Sequence, residues 1–483
     1  MKNRVILWFR RDLRLADNPA LRAALDGDFD SIVPVFIHAP DELGDWAEGG
    51  AQRVWLHDSL RALAEDLETL GSRLIIRQGP TLDTLNTLIE ESGAGAVYWN
   101  RLYDPPIIER DKQVKKALNE REDVDVDSFQ AHVLFEPWQI ETQQGQPYKV
   151  FTPFWKRIKG EPIRAPLARP DQLPAVWSCI GSLDVPDLGL LPEIRWDEKI
   201  RDCWTPGESG AQQRLETFLE DAADNYDDER DYPAIAGTSY LSPHLHWGEI
   251  SPQQIMHRTE EWLDEYEGPA PREHIESFQS EIGWRDFAHH VLYHFPNTPD
   301  EPLDTRFKSF PWSDDTEALN AWQAGRTGIP MVDAGMRELW ATGYMHNRVR
   351  MTVASFLTKN LRIAWQHGER WFWDTLVDAD LANNTLGWQW AAGSGADAAP
   401  FFRIFNPARQ GERFDAKGSY VRRWVPELSD MPNRHIHKPW DAPAEVLKKA
   451  SIELGKDYPK PIVDLKASRR EALEAFDQIK NES

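Results

Sequence analysis

Two domains of different class are expected in this chain of 483 residues: an α/β domain with a parallel sheet over residues 1–131 and an all-helical domain over residues 207–483, joined by a connection over 132–206. Three observations predict this. Short β-branched runs alternate with amphipathic stretches near the N-terminus. After Gly207 helical periodicity takes over and strand-like runs become scarce. The length exceeds what one hydrophobic core ordinarily serves.

The strand-like runs are Val5–Phe9, Ile32–Ile37, Arg73–Arg77, Ala96–Trp99 and Val124–Phe129, with helical patterns such as Gln52–Leu70 and Thr81–Ser92 between them. Strands that alternate with helices build a parallel sheet covered on both faces. No GxGxxG follows the first run, so the usual dinucleotide fingerprint is absent. Residues 131–205 are rich in Pro and Trp, show little periodicity and read as a long surface connection. Apolar residues then recur at helical spacing in Gln212–Tyr226, Arg272–His294, Thr316–Ala324, Val332–Thr342, Asn347–Trp365 and Ala467–Ile479.

Composition narrows the function. Hydrophobic residues make up 41% of the chain, enough for sizeable cores. The net charge of −24 argues against a protein that coats nucleic acid non-specifically. From Ala341 to Asp430, however, 11 Lys and Arg stand against 9 Asp and Glu, so a phosphate-binding face is to be sought there. Two cysteines, Cys179 and Cys203, lie outside any CxxC or metal spacing, which fits a cytoplasmic protein without a disulfide framework. The apolar run Val5–Phe9 meets Arg10, Arg11 and Asp12 at once, so it is neither a signal peptide nor a membrane span. The 22 tryptophans suit a Trp-rich helical core or a role in stacking and electron transfer, and composition alone favours the core. His244, His246, His289, His290 and His294 have no thiolates or well-spaced carboxylates with them, so no metal site is expected.

The opening WFRRDLRLADNPAL (Trp8–Leu21) resembles the start of the photolyase/cryptochrome family. So do GTSYLSPHLHWGEIS (Gly237–Ser251), EIGWRDF (Glu281–Phe287) and TGYMHNRVRM (Thr342–Met351). The longest match is DADLANNTLGWQWAAGSGADAAPFFRIFNP (Asp378–Pro407). Together they run through the whole chain in the family's order, most like its class I-type bacterial members that act on cyclobutane pyrimidine dimers. The resemblance implies an N-terminal antenna domain, a connection and a helical domain holding FAD. It implies blue-light repair of DNA: excited reduced FAD passes an electron to a flipped-out pyrimidine dimer. The protein is expected to work as a monomer, with damaged DNA as its partner and no membrane.

Site residues follow from the same resemblance. Thr238, Ser239 and Ser242, with Tyr240 and Leu241 among them, precede a helical pattern. The residues alone fit N-capping or anion binding; the family match assigns them to the FAD phosphates, with Tyr226 nearby. Asn347, Arg350 and Met351 share one helix face, which in the family meets the flavin and the damaged bases. Asp378 looks like the partner of Arg350; Asp380, with Ala379 beside it, resembles a residue that binds the ring's N3 or ribityl region. Asn384 matches the position beside flavin N5, and its amide cannot act as an acid. Glu281 and Trp284 share a face, with Arg285 adjacent. The resemblance makes Glu281 the contact to the dimer, and Trp284 and Trp390 the pocket walls. Arg230, Arg348, Arg403 and Gln410 match DNA-holding positions. Trp388, Trp365 and Trp312 match the family's electron relay.

The antenna site departs from the best-known branch. Asn100–Asp111 reads NRLYDPPIIERD and lacks that branch's folate-binding Asn-Glu pair, while HAPDELGDWAEGGAQ (His38–Gln52) is more similar to a bacterial branch related to plant photoreceptors. A 5,10-methenyltetrahydrofolate antenna is the first expectation and a deazaflavin the second. Two other functions compete with dimer repair. A light-signalling cryptochrome is opposed by Glu281, Trp284 and Asn384. Enzymes for the (6-4) photoproduct carry two histidines where this chain has Asn347 and Met351. A dark flavin oxidoreductase would need a nicotinamide site, and no such motif is found.

Overall fold

The structure is a computed structural model and describes residues 4–176, 180–267, 269 and 271–480. Cys179 therefore lies outside the described residues; Cys203 is exposed and unpaired.

Strands β1 (Arg4–Phe9), β2 (Ser31–His38), β3 (Ile75–Gln78), β4 (Ala96–Asn100) and β5 (Asp125–Phe129) form one parallel sheet in the order β3-β2-β1-β4-β5. Val5 pairs with Ile32 on one side and Ala96 on the other. Helices α1 (Pro19–Asp26), α2 (Gly50–Thr69), α3 (Thr81–Ser92) and α4 (Pro105–Asn119) connect them. Alternate residues of a strand face opposite ways, and both faces are covered here. Val5, Leu7 and Phe9 join Trp55, Leu56 and Leu60 in one core. Ile6, Trp8 and Val33 join Leu85, Leu88, Trp99 and Leu118 in the other. This two-sided burial explains why the strands read as continuous apolar runs. Asn18 caps α1, its side chain accepting from the Leu21 N–H, with Pro19 as the first helical residue.

The rest is helical, as the periodicity predicts. The longest helix runs Arg272–His294. The chain forms two compact units. The first holds Met1–Asp224, Ser239–Pro296 and Val377–Asp380; the second holds Asn225–Thr238, Asn297–Leu376 and Leu381–Ser483.

Two expectations need correction. Residues 131–205 are not free of secondary structure: Phe151–Ile158 and Glu198–Cys203 are helices. Phe151–Ile158 is held by tertiary burial, Phe154 packing on Phe287 at 5.3 Å between ring centroids, which no local period reveals. The stretch Asn347–Trp365 is not one helix. Helix Asn347–Ser355 passes into a π-helical turn, Phe356–Asn360, and a new helix begins at Trp365. Arg362 adopts φ +54°, which ends the right-handed path, although the apolar spacing carries on through the break.

Candidate functional site

In the first unit the candidate residues come from three segments. Helix Arg272–His294 supplies Glu281 and Trp284, both half-buried, and the buried Arg285. Trp284 lies flat against Phe151, ring centroids 3.8 Å apart at 13°. Gly283 sits between because any Cβ there would stand 2.4 Å from the Trp155 ring. Arg285 commits its guanidinium to His132, donating to its carbonyl and, at 2.7 Å, to its Nε2. Asp286, next along, accepts from the Leu134 and Phe135 N–H groups, and burial raises its carboxyl to about 6.

The segment Ser239–Ser242 leads into the short helix Ser242–His246. The Ser242 hydroxyl does not cap that helix; it donates to Asp378 at 2.6 Å. Tyr240 holds φ +54°, a conformation a bulky residue adopts only where its surroundings enforce it, and one that clusters at ligand sites. Arg214 lies 5.6 Å from its ring centroid. Leu241 is buried and its N–H donates to the Ser239 hydroxyl. The carbonyl of Ala379 accepts from the buried Gln52 amide at 2.6 Å.

Asp380 is flanked by His289 Nε2 at 3.5 Å and His246 Nδ1 at 3.7 Å. Burial opposes its charge, yet His289, His246 and Arg285 outweigh it and hold the carboxyl well below the usual range. His132 is driven well below the usual imidazole value by burial, with Arg285 adding to it. His132, His289 and Asp380 bring ligand atoms within 4.8 Å of one another, the set among the described residues able to hold a metal ion. An arginine N–H can only donate, so Arg285 occupies the lone pair that a metal would need on His132 Nε2.

In the second unit, Tyr226 is buried with the Arg230 guanidinium 5.0 Å from its ring centroid. Helix Asn347–Ser355 starts at His346, whose ring accepts from the Arg348 N–H. Asn347 is exposed, while Arg348, Arg350 and Met351 are half-buried. Arg348 pairs with Asp231 and lies 4.6 Å from the Phe414 ring centroid. Arg350 donates to the Met345 carbonyl at 2.6 Å. The Asn384 amide donates to the Glu369 carbonyl at 3.0 Å. Glu369 is fully buried, its carboxyl group accepts from Thr385 at 2.5 Å, and burial pushes it well above the usual range.

Trp388 and Trp365 are buried and Trp312 is half-buried. Trp388 packs edge-on against Phe372 at 5.0 Å and Trp322 at 6.0 Å; Trp312 packs on Phe310 at 4.4 Å. Trp390 is nearly parallel to Phe405 at 6.3 Å. Arg403 is exposed on the loop before helix Pro407–Phe414, which carries the half-buried Gln410.

Each unit has groups that fit a polar, flat ligand such as FAD. In the second, the Thr238 hydroxyl is buried with no hydrogen-bond partner among the described residues. Gly387, one helical turn from Asn384, has nothing within 4 Å of where a Cβ would stand. In the first, Asp380 stands between His246 Nδ1 and His289 Nε2 at 3.7 and 3.5 Å. Buried polar groups are normally satisfied, so the Thr238 hydroxyl marks a place where a ligand's phosphate completes the bonding. Residues 5–172 match the family described as DNA photolyase, and residues 278–478 the one described as FAD binding domain of DNA photolyase. The chain is 48% identical to a deoxyribodipyrimidine photo-lyase of Agrobacterium fabrum over 99% of its length and 98% of that protein.

The chain belongs to the photolyase/cryptochrome family. A crystal structure of a bacterial class III photolyase from Agrobacterium tumefaciens superposes on this family member with a TM-score of 0.95, at 47% identity, covering 99% of this chain and 98% of the other. Cryptochrome-1 of Arabidopsis thaliana is 39% identical over 98% of this chain and 70% of its own. No helix among the described residues is long and apolar enough to cross a membrane. The FAD-binding domain assigned from the motifs is thus matched as such. Several side chains around these positions in this photolyase/cryptochrome chain were not legible in its sequence. His132, Phe151 and Trp155 sit in the aperiodic stretch, and Glu369 looks like a solvated helix residue. The spacing of Phe151 and Trp155, four apart, is the one local signal that could have flagged an aromatic face.

Proposed function

We propose that this protein uses blue light to repair cyclobutane pyrimidine dimers in DNA, as a deoxyribodipyrimidine photolyase acting as a monomer. FAD, when bound, supplies the light-driven electron. The chain's own residues bind, orient and stabilise. Thr238 and the Ser239–Ser242 segment offer donors to phosphate. Asp378, which accepts from the Ser242 hydroxyl, and Arg350 are each assigned to the flavin's surroundings. Glu281 hydrogen-bonds the dimer, and Trp284 and Trp390 wall it. Arg230, Arg348, Arg403 and Gln410 hold the strand once the dimer is flipped out. Trp388, Trp365 and Trp312 carry electrons from the surface.

The observation that carries repair over signalling is at Asn384. One N–H of its amide donates to the Glu369 carbonyl, which leaves the second N–H and the oxygen for a ligand, and an amide provides no acidic proton. Glu281, half-buried beside Trp284 on the same helix face, supports the same reading. Asn347 and Met351 in place of two histidines favour the cyclobutane dimer over the (6-4) photoproduct. The identity to the class III structure supports grouping the chain with that class, in keeping with its His38–Gln52 segment. A methenyltetrahydrofolate antenna, before a deazaflavin, belongs to the proposal. His38 at the end of β2 is buried with both ring nitrogens lacking a hydrogen-bond partner among the described residues, which fits a ligand on that segment.

The test is a light-dependent repair assay with FAD-loaded, pre-reduced protein on two duplexes, one with a defined thymine dimer and one with a (6-4) lesion. Repair of the first alone is expected. Repair of the second alone would reassign the lesion, and repair of neither would favour signalling.

A further inference from the structure

Beneath the loop that carries Arg403 lies a buried lysine. Lys359 is 1% exposed and belongs to the π-helical turn Phe356–Asn360. Such turns are rare and occur mostly where function needs a side chain re-aimed. The Lys359 amine donates to the carbonyl of Arg403 at 3.2 Å and lies 5.1 Å from the Phe401 ring centroid. A buried ammonium is costly unless paired, and among the described residues no carboxylate pairs with this one.

The surroundings are otherwise committed. On helix Leu465–Ile479, Glu471 lies 3.8 Å from Arg362 and Ser468 accepts from Asn360. On helix Trp365–Thr375, Glu369 accepts from Thr385. Helix Leu381–Ala392 has no titratable side chain. On helix Asn347–Ser355, Arg348 pairs with Asp231 and Arg350 donates to the Met345 carbonyl. The charged group that acts on the amine is the Arg403 guanidinium.

The loop itself is built in two layers. Inside, Phe401 stacks on Phe476 at 4.5 Å and packs on Phe310 at 5.4 Å, and the Phe405 N–H donates to the Ser355 hydroxyl at 3.2 Å. Outside, Phe402 is 65% exposed and Arg403 is exposed beside it. Ser355 and Lys359, four residues apart, thus fasten the loop's backbone from below while its tip faces outward.

We infer that Lys359 is a positioning residue: its amine clips the Arg403 carbonyl and holds the 399–405 loop in the shape that presents Arg403 to a DNA phosphate. This rests on the reading above that Arg403 contacts DNA. The two cations repel each other, so a phosphate arriving at Arg403 favours protonation of the lysine beneath it, and binding takes up a proton. Burial already brings the Lys359 amine down to about 7; opening the loop returns it toward its ordinary value, so opening takes up a proton and the clip is strongest above neutrality, where the amine donates without a buried charge.

Amide exchange of residues 399–405 in the FAD-loaded protein without DNA tests the clip. Lys359→Met, which keeps the volume and removes the donor, is expected to exchange several-fold faster than wild type at about pH 9, with the difference shrinking by about pH 6 as protonation favours opening. Flavin absorbance should be the same in both. Equal protection in Lys359→Met and wild type at the higher pH would overturn the inference. A second arm measures affinity for a short duplex with one thymine dimer. Wild type should weaken several-fold from the lower to the higher pH, beyond any change in Lys359→Met. The same pH profile in both would overturn the coupling. Failure of wild type to prefer the damaged duplex would instead overturn the repair reading, while the exchange result still decides for or against the clip.

Discussion

Replacing Gly368 by alanine reverses a familiar rule. In a helix interior alanine is ordinarily more stable than glycine by about 1 kcal/mol. Gly368 lies inside helix Trp365–Thr375, and a Cβ there would stand 2.1, 2.4 and 2.6 Å from the Cη2, Cζ3 and Cζ2 atoms of Trp388. The ring has little room to retreat. It is buried, set edge-on against Phe372 and Trp322, and Trp322 is itself fully buried with its indole N–H on the Val353 carbonyl at 3.2 Å. Overpacking of this kind costs about 1–3 kcal/mol. Set against the propensity gain, a net loss of up to about 2 kcal/mol is expected. Urea unfolding of the FAD-loaded protein, followed by tryptophan fluorescence, should show the midpoint falling. Gly160→Ala is the companion: nothing lies within 4 Å of its Cβ position and φ is ordinary there, so a gain of about 0.5 kcal/mol is expected from a stiffer unfolded chain. A Gly368→Ala midpoint at or above wild type would refute the packing described around Trp388.

Trp365→Phe should block photoreduction of oxidised FAD by an external thiol while chemically pre-reduced enzyme keeps repairing; untouched photoreduction would make Trp365 a packing residue only. Glu281→Ala should weaken dimer recognition by about tenfold or more and lower the repair yield per photon, since losing a hydrogen bond to a charged group costs about 1.5–3 kcal/mol, with FAD content unchanged; wild-type repair would remove Glu281 from the pocket. Burial lowers His346 to about 4, with Arg348 and Arg350 adding to it against the opposing pull of Asp231. The imidazole is therefore neutral in the fold and protonates first in the unfolded chain, so up to about 3 kcal/mol of stability is lost as pH falls from about 6.5 to about 4. His346→Asn, which keeps a capping acceptor, should flatten that acid limb; an unchanged limb in urea titrations would show that His346 does not drive it.

Much of the architecture was legible in the residues. Continuous β-branched runs and helices at period 3.6 are local consequences of side-chain geometry, so the parallel sheet and the helix Arg272–His294 could be read directly. The motif order carried the family and the candidate residues. The break inside Asn347–Trp365 could not be read, because apolar spacing continues through it and only a shift in hydrogen bonding and the positive φ of Arg362 mark it.

What the tertiary structure alone decided is which groups lose water and which meet. Arg285 and His132 are 153 positions apart in sequence, yet their contact sets the tautomer of the histidine and turns a possible metal ligand into a hydrogen-bond acceptor. Glu369 and Lys359 look like ordinary solvated helix residues until burial pushes the carboxyl of one up and the amine of the other down. Periodicity encodes which face of a helix is apolar. Charge state depends on what the rest of the chain brings against that face, and no local pattern contains it.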